Sequence, residues 1–294
     1  MKFGFIIPLF NTVEYLENCL MSLINQTYNK FEIVIVDNYS TDGSYEIAKK
    51  FALKYNTIKL FRKKIDGVGR LRNYAIKKIK CDYFITVDSD DYIDERLLEK
   101  LNTQINGNRA IDMVRYNAVK VTEHQAIIDD SMFATKKIGF FTGRDYLINA
   151  CLEYIEHTKI FGPTWLYAIN LNFYKKHKFK FSGLLQEDFG IISSLILKSK
   201  TILCVNHNGY YYTQRWNSIT NYKGNKYLKA LHLLCHYDNY IKEIVNNLEN
   251  DIELRKVFKK YLDLSLINKY KSLHEDNKRM YINELKYRGI VFEE

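Results

Sequence analysis

The sequence predicts an α/β fold, a mostly parallel sheet flanked by helices, followed by a C-terminal helical appendage. Three observations carry that expectation. Short apolar runs alternate with helix-period segments through the first hundred or so residues, as repeated β-α units do. Each run ends in a polar turn, and in open parallel sheets ligands bind at the carboxyl ends of strands. Beyond about residue 222 only helical periodicity remains.

Residues 2–9 read as the first strand, and Asn11 and Thr12 then cap a helix whose apolar face is Leu16, Leu20, Leu23 and Ile24. A second strand at 31–36 ends in the turn Asp37-Asn38-Tyr39-Ser40-Thr41-Asp42-Gly43-Ser44, which launches a helix near 44–54. A third strand at 58–61 and the Gly67-Val68-Gly69 turn lead to a helix over about 70–79. The strand 82–87 then runs into Asp88. Asp91 to Asp94 form a polar turn before a helix at 95–105. Further on, 111–116 and 118–121 read as two strands, Gly143-Arg144-Asp145 opens a helix, and 189–197 is an apolar helical run. The aromatic stretch from Tyr210 to Thr220 reads as a loop that closes the domain. Residues 225–248 and 253–273 read as helices separated at Glu249-Asn250-Asp251.

With 294 residues, 47% of them hydrophobic, and only Pro8 and Pro163 as prolines, the chain can bury a large core and carries no low-complexity linker. Its five cysteines are scattered, with no C-x-x-C pair, which points to a reducing, cytoplasmic setting. The amino terminus is interrupted too early for a signal peptide, and no apolar run approaches the length of a membrane span. Net charge is +10, but it is spread along the chain rather than gathered in a stripe. A phosphate-bearing small substrate explains the sign equally well, and nucleic-acid binding would rest on charge alone.

Two acidic stretches stand out. Asp88-Ser89-Asp90-Asp91 puts three carboxylates in four positions at a strand's end. Such a cluster is tolerated in open water or around a cation, and an all-oxygen set favours Mg²⁺ or Mn²⁺ with Asp90 and Asp91 as ligands. An acidic helix cap is the plainer alternative. Glu187-Asp188 precedes the apolar run at 189–197, where it is either an ordinary helix start or a candidate general base.

Taken together, Ile6-Ile7-Pro8-Leu9-Phe10-Asn11, Val36-Asp37-Asn38-Tyr39-Ser40-Thr41-Asp42-Gly43-Ser44, Arg72-Asn73-Tyr74-Ala75-Ile76 and Asp88-Ser89-Asp90-Asp91 resemble the family 2 glycosyltransferases of the GT-A fold in order and spacing. The resemblance implies a nucleotide-sugar donor, a uridine diphosphate sugar by preference, with a divalent cation on its diphosphate. By motif position Pro8, Phe10, Asn11, Asp37 and Asn38 would line the base and ribose, with Arg72 and Asn73 nearby and Asp88 to Asp91 on ribose and metal. Many members carry aspartate where this chain has Asn38, which leaves the base identity open. The family pattern also places a tryptophan, here Trp165, before a Glu-Asp pair. It implies Trp165 and Glu187 on the acceptor and Asp188 as catalytic base, and many relatives have lysine where Tyr167 stands. A cation at Arg215 would face the leaving diphosphate.

The resemblance divides the chain into a glycosyltransferase domain at 1–221, with a nucleotide-binding half at 1–107 and an acceptor half at 108–221, and a helical region at 222–294. It implies an inverting sugar transfer to a glycan or lipid-linked acceptor in cell-surface polysaccharide synthesis. Peripheral membrane contact and homo-oligomer formation are open partner classes for the helical region. The rival readings are a nucleotide-binding protein of the same fold without catalysis and a nucleotidyltransferase. The latter would carry a Gly-rich basic loop after the first strand, where this chain has Pro8-Leu9-Phe10-Asn11. A glycosidase would need two carboxylates and no metal.

Overall fold

Two strands, β1 (Phe3–Leu9) and β2 (Phe31–Asp37), are buried along their whole length, as expected of parallel strands covered on both faces. They pair in register from Phe3 opposite Phe31 to Leu9 opposite Asp37. The computed structural model describes residues 1–107, 110–215, 226–240 and 251–290. Helices α1 (Val13–Ile24), α2 (Ser44–Lys54) and α3 (Val68–Lys78) make the crossovers to β2, to β3 (Ile58–Arg62) and to β4 (Tyr83–Thr86). All four strands run parallel, in the order β3-β2-β1-β4.

Beyond β4 the sheet becomes mixed. A two-residue β5 (Tyr92–Ile93) and α4 (Leu97–Ile105) precede the long β6 (Met113–Thr122), with β7 (Ile127–Asp129) and β8 (Gly139–Phe141) as short edge pieces. After α5 (Gly143–His157) and a 3₁₀ turn at Thr164–Leu166, β9 (Tyr167–Asn170) pairs antiparallel with both β4 and β6. It thereby joins the two halves into one sheet. Helices α6 (Leu171–Lys176) and α7 (Phe189–Lys198) lead to β10 (Ile202–Gln214), which is parallel to β6.

Three sequence expectations change here. The pieces at 111–116 and 118–121 are one strand. Tyr92 and Ile93 leave the polar turn to pair with Tyr211 and Tyr210, and the Tyr92 and Tyr211 rings stack 4.6 Å apart. The stretch from Tyr210 to Gln214 is strand rather than loop. Trp216 to Thr220 lie outside the described residues, as do 241–248 and the Glu249-Asn250 break.

The C-terminal region is helical where described: α8 (Lys226–Tyr240), α9 (Ile252–Lys271) and α10 (Glu275–Tyr287). Helix α9 packs along α5, with the Tyr154 and Tyr261 rings edge to face at 5.0 Å and Arg144 forked onto Asp251 and Glu253. Helix α8 seats on α7 at Gly190, where an added Cβ would lie 2.6 Å from the His236 ring. His232 Nδ1 accepts from the Leu185 N–H at 3.0 Å, so α8 also ties down the loop that enters Glu187-Asp188. Among the described residues no helix is long and apolar enough to cross a membrane.

Candidate active site

The turns after β1, β2 and β4 meet. Asn11, at positive φ, donates its N–H to Ser40 Oγ and accepts the Thr41 N–H on its Oδ1. Thr12 was expected to cap α1, but its side chain makes no capping bond and donates instead to Ser89 Oγ at 2.9 Å. That hydroxyl pair fastens the first turn to the acidic one.

Around the second turn the candidate side chains have partners within the protein. Asp37 is fully buried, pairing with Arg62 at 3.1 Å and accepting from the Ser40 N–H. Asn38 spends its carbonyl on the Ile65 N–H, Pro8 is buried within β1, and Asn73 bonds both amide groups to the backbone of Phe181. These four hold loops in place. The side chains that stay open at this rim are aromatic, Phe10 at 52% and Tyr39 at 51% exposure, and Arg62 lies over the Tyr39 ring at 4.9 Å. Arg62 and Tyr39 were not among the sequence candidates. An exposed aromatic beside a guanidinium is the signal that a planar base would use.

The acidic turn diverges rather than converges. Asp88 pairs with Arg72 Nη2 at 2.7 Å, and Asp90 pairs with Arg215 Nε at 2.6 Å. Asp91 is 2% exposed, with Oδ2 accepting from the Tyr210 hydroxyl at 2.6 Å and Oδ1 from the Thr213 N–H at 2.7 Å. Among the described residues no three acidic, histidine or cysteine side chains converge on a common ion. The expectation of Asp91 as a ligand beside Asp90 therefore meets a carboxylate already engaged on β10. Burial raises the Asp91 pKa well above the usual carboxylate range, and the charges of Asp90 and Asp88 add to it. Removal of that carboxylate in Asp91→Ala orphans Tyr210 and Thr213, each at about 1–3 kcal/mol. Urea unfolding should register this loss, and an unchanged midpoint would show that the β10 bonds carry no weight.

Arg72 is the centre of the site. It is 2% exposed, and besides Asp88 it contacts Glu187 directly and reaches Asp188 at 3.3 Å. One guanidinium thus joins the acidic turn after β4 to the acids before α7, about a hundred residues later. Burial pushes Glu187 up to about 7, with Arg72 pulling it back and Asp188 adding to the rise. Asp188 is raised for the same leading reason, again opposed by Arg72. Its carboxylate does not cap α7 but accepts from the Thr164 hydroxyl at 2.7 Å, which sets aside the plain helix-start reading. Thr164 escaped sequence analysis although it sits beside Trp165. That tryptophan is 4% exposed and stacks on Tyr210 at 4.4 Å, so packing accounts for most of its surface.

Asp88 and Asp188 both open onto a cavity of about 650 Å³ whose walls include Trp165, Tyr212, Phe161 and Tyr261. Five carboxylates, Asp88, Asp90, Asp91, Glu187 and Asp188, meet two guanidiniums here, Arg72 and Arg215. Such an arrangement is short of positive charge, and it can take a cationic or metal-bound ligand on the open carboxylates and a hydroxyl at Asp188.

The family model for glycosyl transferase family 2 matches residues 5–179. The cholesterol galactosyltransferase of Borreliella burgdorferi is 27% identical over 75% of this chain and 62% of its own length. A poly(ribitol-phosphate) beta-glucosyltransferase of Bacillus spizizenii is 33% identical over 60% of the chain. The chain spans 62% and 30% of the lengths of these two relatives. The crystal structure of Staphylococcus aureus TarS residues 1–349 with UDP-GlcNAc superposes with a TM-score of 0.62, covering 100% of this chain and 93% of that one at 20% identity, which shows a shared fold.

Proposed function

The chain belongs to glycosyl transferase family 2, and on that premise we propose that it transfers a sugar, with inversion, from a UDP-sugar to a hydroxyl of a cell-surface glycan or lipid-linked acceptor. The observation that carries the reading is the Arg72 junction, by which the donor-side Asp88 and the acceptor-side Glu187 and Asp188 share one guanidinium beside one cavity. An in-line displacement needs that adjacency.

In this reading the rim aromatics Phe10 and Tyr39 take the base, and the turns held by Asn11, Asp37, Asn38 and Asn73 shape the crevice around it. Asp188 accepts the proton of the attacking hydroxyl. The acceptor oxygen bonds to the anomeric carbon as the bond to the diphosphate breaks, and the diphosphate leaves with the electron pair. Arg215 lends positive charge at the Asp90 side, where that charge develops. The excess of carboxylates over guanidiniums fits a divalent cation held by Asp90 and Asp88. Two protein carboxylates suit Mg²⁺ or Mn²⁺ when donor phosphates fill out the shell. When bound, such an ion polarises the diphosphate and offsets the charge on the leaving group. Asp91 keeps β10 against the turn.

Residues 1–107 serve the donor and 108–221 the acceptor, with the region after 222 beside the acceptor side. All five cysteines are free, in keeping with a reducing, cytoplasmic setting.

Thermal unfolding with nucleoside diphosphates and nucleotide sugars, with and without Mn²⁺, tests the donor side. At a hundredfold its dissociation constant the right nucleotide should add about 2.7 kcal/mol, and Mn²⁺ should sharpen the response. A chain indifferent to every nucleotide in both conditions would remove the reading.

A further inference from the structure

Two buried hydroxyls from other elements stand in line behind Asp188. Thr164 opens the 3₁₀ turn at Thr164–Leu166 and is fully buried between Pro163 and Trp165, both of which line the cavity. Its hydroxyl meets Asp188 Oδ1 at 2.7 Å on one side and the Thr86 hydroxyl at 3.1 Å on the other. Thr86, also buried, is the last residue of β4, just before the acidic turn. Resting on the glycosyl-transfer reading above, we propose that Thr86 and Thr164 are positioning residues for the base, a buried chain in which Thr86 donates to Thr164 and Thr164 donates to Asp188.

Counting protons fixes the direction of the chain. A carboxylate that is to take a proton carries none, so the Thr164 hydroxyl must donate to it. That uses the one hydrogen of Thr164, and the contact between the two threonines, which distance alone leaves open, is then a donation from Thr86. Each donor polarises the next, and the chain ends on the charged group. Arg72 Nη1 also reaches Oδ1, at 3.3 Å. With these two donors on Oδ1, the proton of the attacking hydroxyl goes to Oδ2. Neither threonine can meet the acceptor itself, because both are buried while Asp188 stays partly open to the cavity. Their part is to hold the plane of the carboxylate. Strand β4 carries Thr86 and leads directly into Asp88, so one strand fixes both the donor-side acid and the aim of the base.

Two readouts on the full chain test this. One is release of UDP from UDP-glucose, UDP-galactose and UDP-N-acetylglucosamine with Mn²⁺. There water stands in for the acceptor hydroxyl and gives its proton to Asp188 as its oxygen bonds to the anomeric carbon and UDP leaves with the electron pair. The other is the titration of Asp188 followed by NMR of the aspartate carboxyl carbons, its signal being the one absent from Asp188→Asn. Thr164→Val should lower kcat about tenfold, the size of one hydrogen bond to a charged group, with KM for the UDP-sugar within about twofold of the parent. It should also raise the Asp188 midpoint, since the carboxylate loses a donor, and Thr164→Ser should restore both. A carboxylate raised in this way is the stronger base, so a kcat that stays low above the new midpoint reports lost aim. Thr86→Val should cost less, and Thr86→Val with Thr164→Val should match Thr164→Val alone, because Thr86 acts through Thr164. That double variant orphans neither hydroxyl, so it keeps the test open if the single one folds poorly. The charged neighbours Arg72, Glu187 and Asp88, with Lys120 and Lys269 elsewhere in the lining, are the same in every variant. A kcat near the parent's in the single and double variants, an unmoved midpoint, or a serine variant no better than the valine one would overturn the proposal. If the parent releases UDP from none of these sugars, the transfer reading loses its support, and the midpoint decides the hydroxyl chain by itself.

Discussion

Arg72→Met should cost about 3–5 kcal/mol of stability at pH 7, the range for stripping one partner from a buried ion cluster. Methionine roughly fills the volume, so a cavity is not the cause. What is lost is the positive charge that Asp88, Glu187 and Asp188 share, together with the stacking of the guanidinium over the Phe181 ring at 5.5 Å. The pH dependence separates this cause from a packing defect. Glu187 already rises from 4.5 to about 7 with Arg72 present, and without it the folded-state values of Glu187 and Asp188 move higher. An acid whose folded pKa exceeds its unfolded one stabilises below the unfolded value and loses that stabilisation as pH rises through the folded one. The deficit of the variant should therefore be largest at pH 7 and above and shrink toward pH 5. Urea unfolding at both pH values measures it, and an equal deficit at each would assign the loss to packing. Arg72→Lys should fall between, since a lysine keeps the charge but not the fork that reaches three carboxylates.

How much of this was legible in the sequence depended on the range of the interaction. Strands β1 and β2 were plain because burial on both faces writes an unbroken apolar run. Strand β10 was not, because Asn206-His207-Asn208-Gly209 has the composition of a turn. The structure absorbs that stretch as irregular register between Cys204 and Tyr210 within one continuous strand. The same contrast holds in the site. Three acids in four residues read as one cluster, yet the turn, closed by the Asp91 N–H on the Asp88 carbonyl, sends Asp88 to Arg72, Asp90 to Arg215 and Asp91 to Tyr210. Adjacency in sequence does not fix direction in space. Likewise Arg72 and Asn73 are neighbours with separate duties, one gathering carboxylates and the other splinting Phe181. Long-range partners such as Thr164 for Asp188 left no local trace at all.

Asp188→Asn should lower sugar transfer to the acceptor by at least about a hundredfold, the lower end for removal of a general base, with nucleotide binding kept. The amide has the size of the carboxylate and can still accept from the Thr164 hydroxyl through its oxygen, so the 2.7 Å bond that orients the group can survive. What the amide cannot do is take the proton of the attacking hydroxyl. Relief of charge beside Asp88 also favours the folded state, so the loss should fall on turnover and not on stability. Glu187→Gln acts differently. That side chain is buried against Arg72 and its amide oxygen can still accept from the guanidinium, so stability should change little and turnover should fall less than in Asp188→Asn. In the parent enzyme the acidic limb of the rate profile should lie above the ordinary aspartate range, because burial lifts Asp188 more than Arg72 lowers it. The limb should vanish from the residual activity of Asp188→Asn. Near-normal transfer by Asp188→Asn with a comparable collapse in Glu187→Gln would move the base to the neighbouring residue, and a product with retained anomeric configuration would exclude the single displacement that gives Asp188 its role.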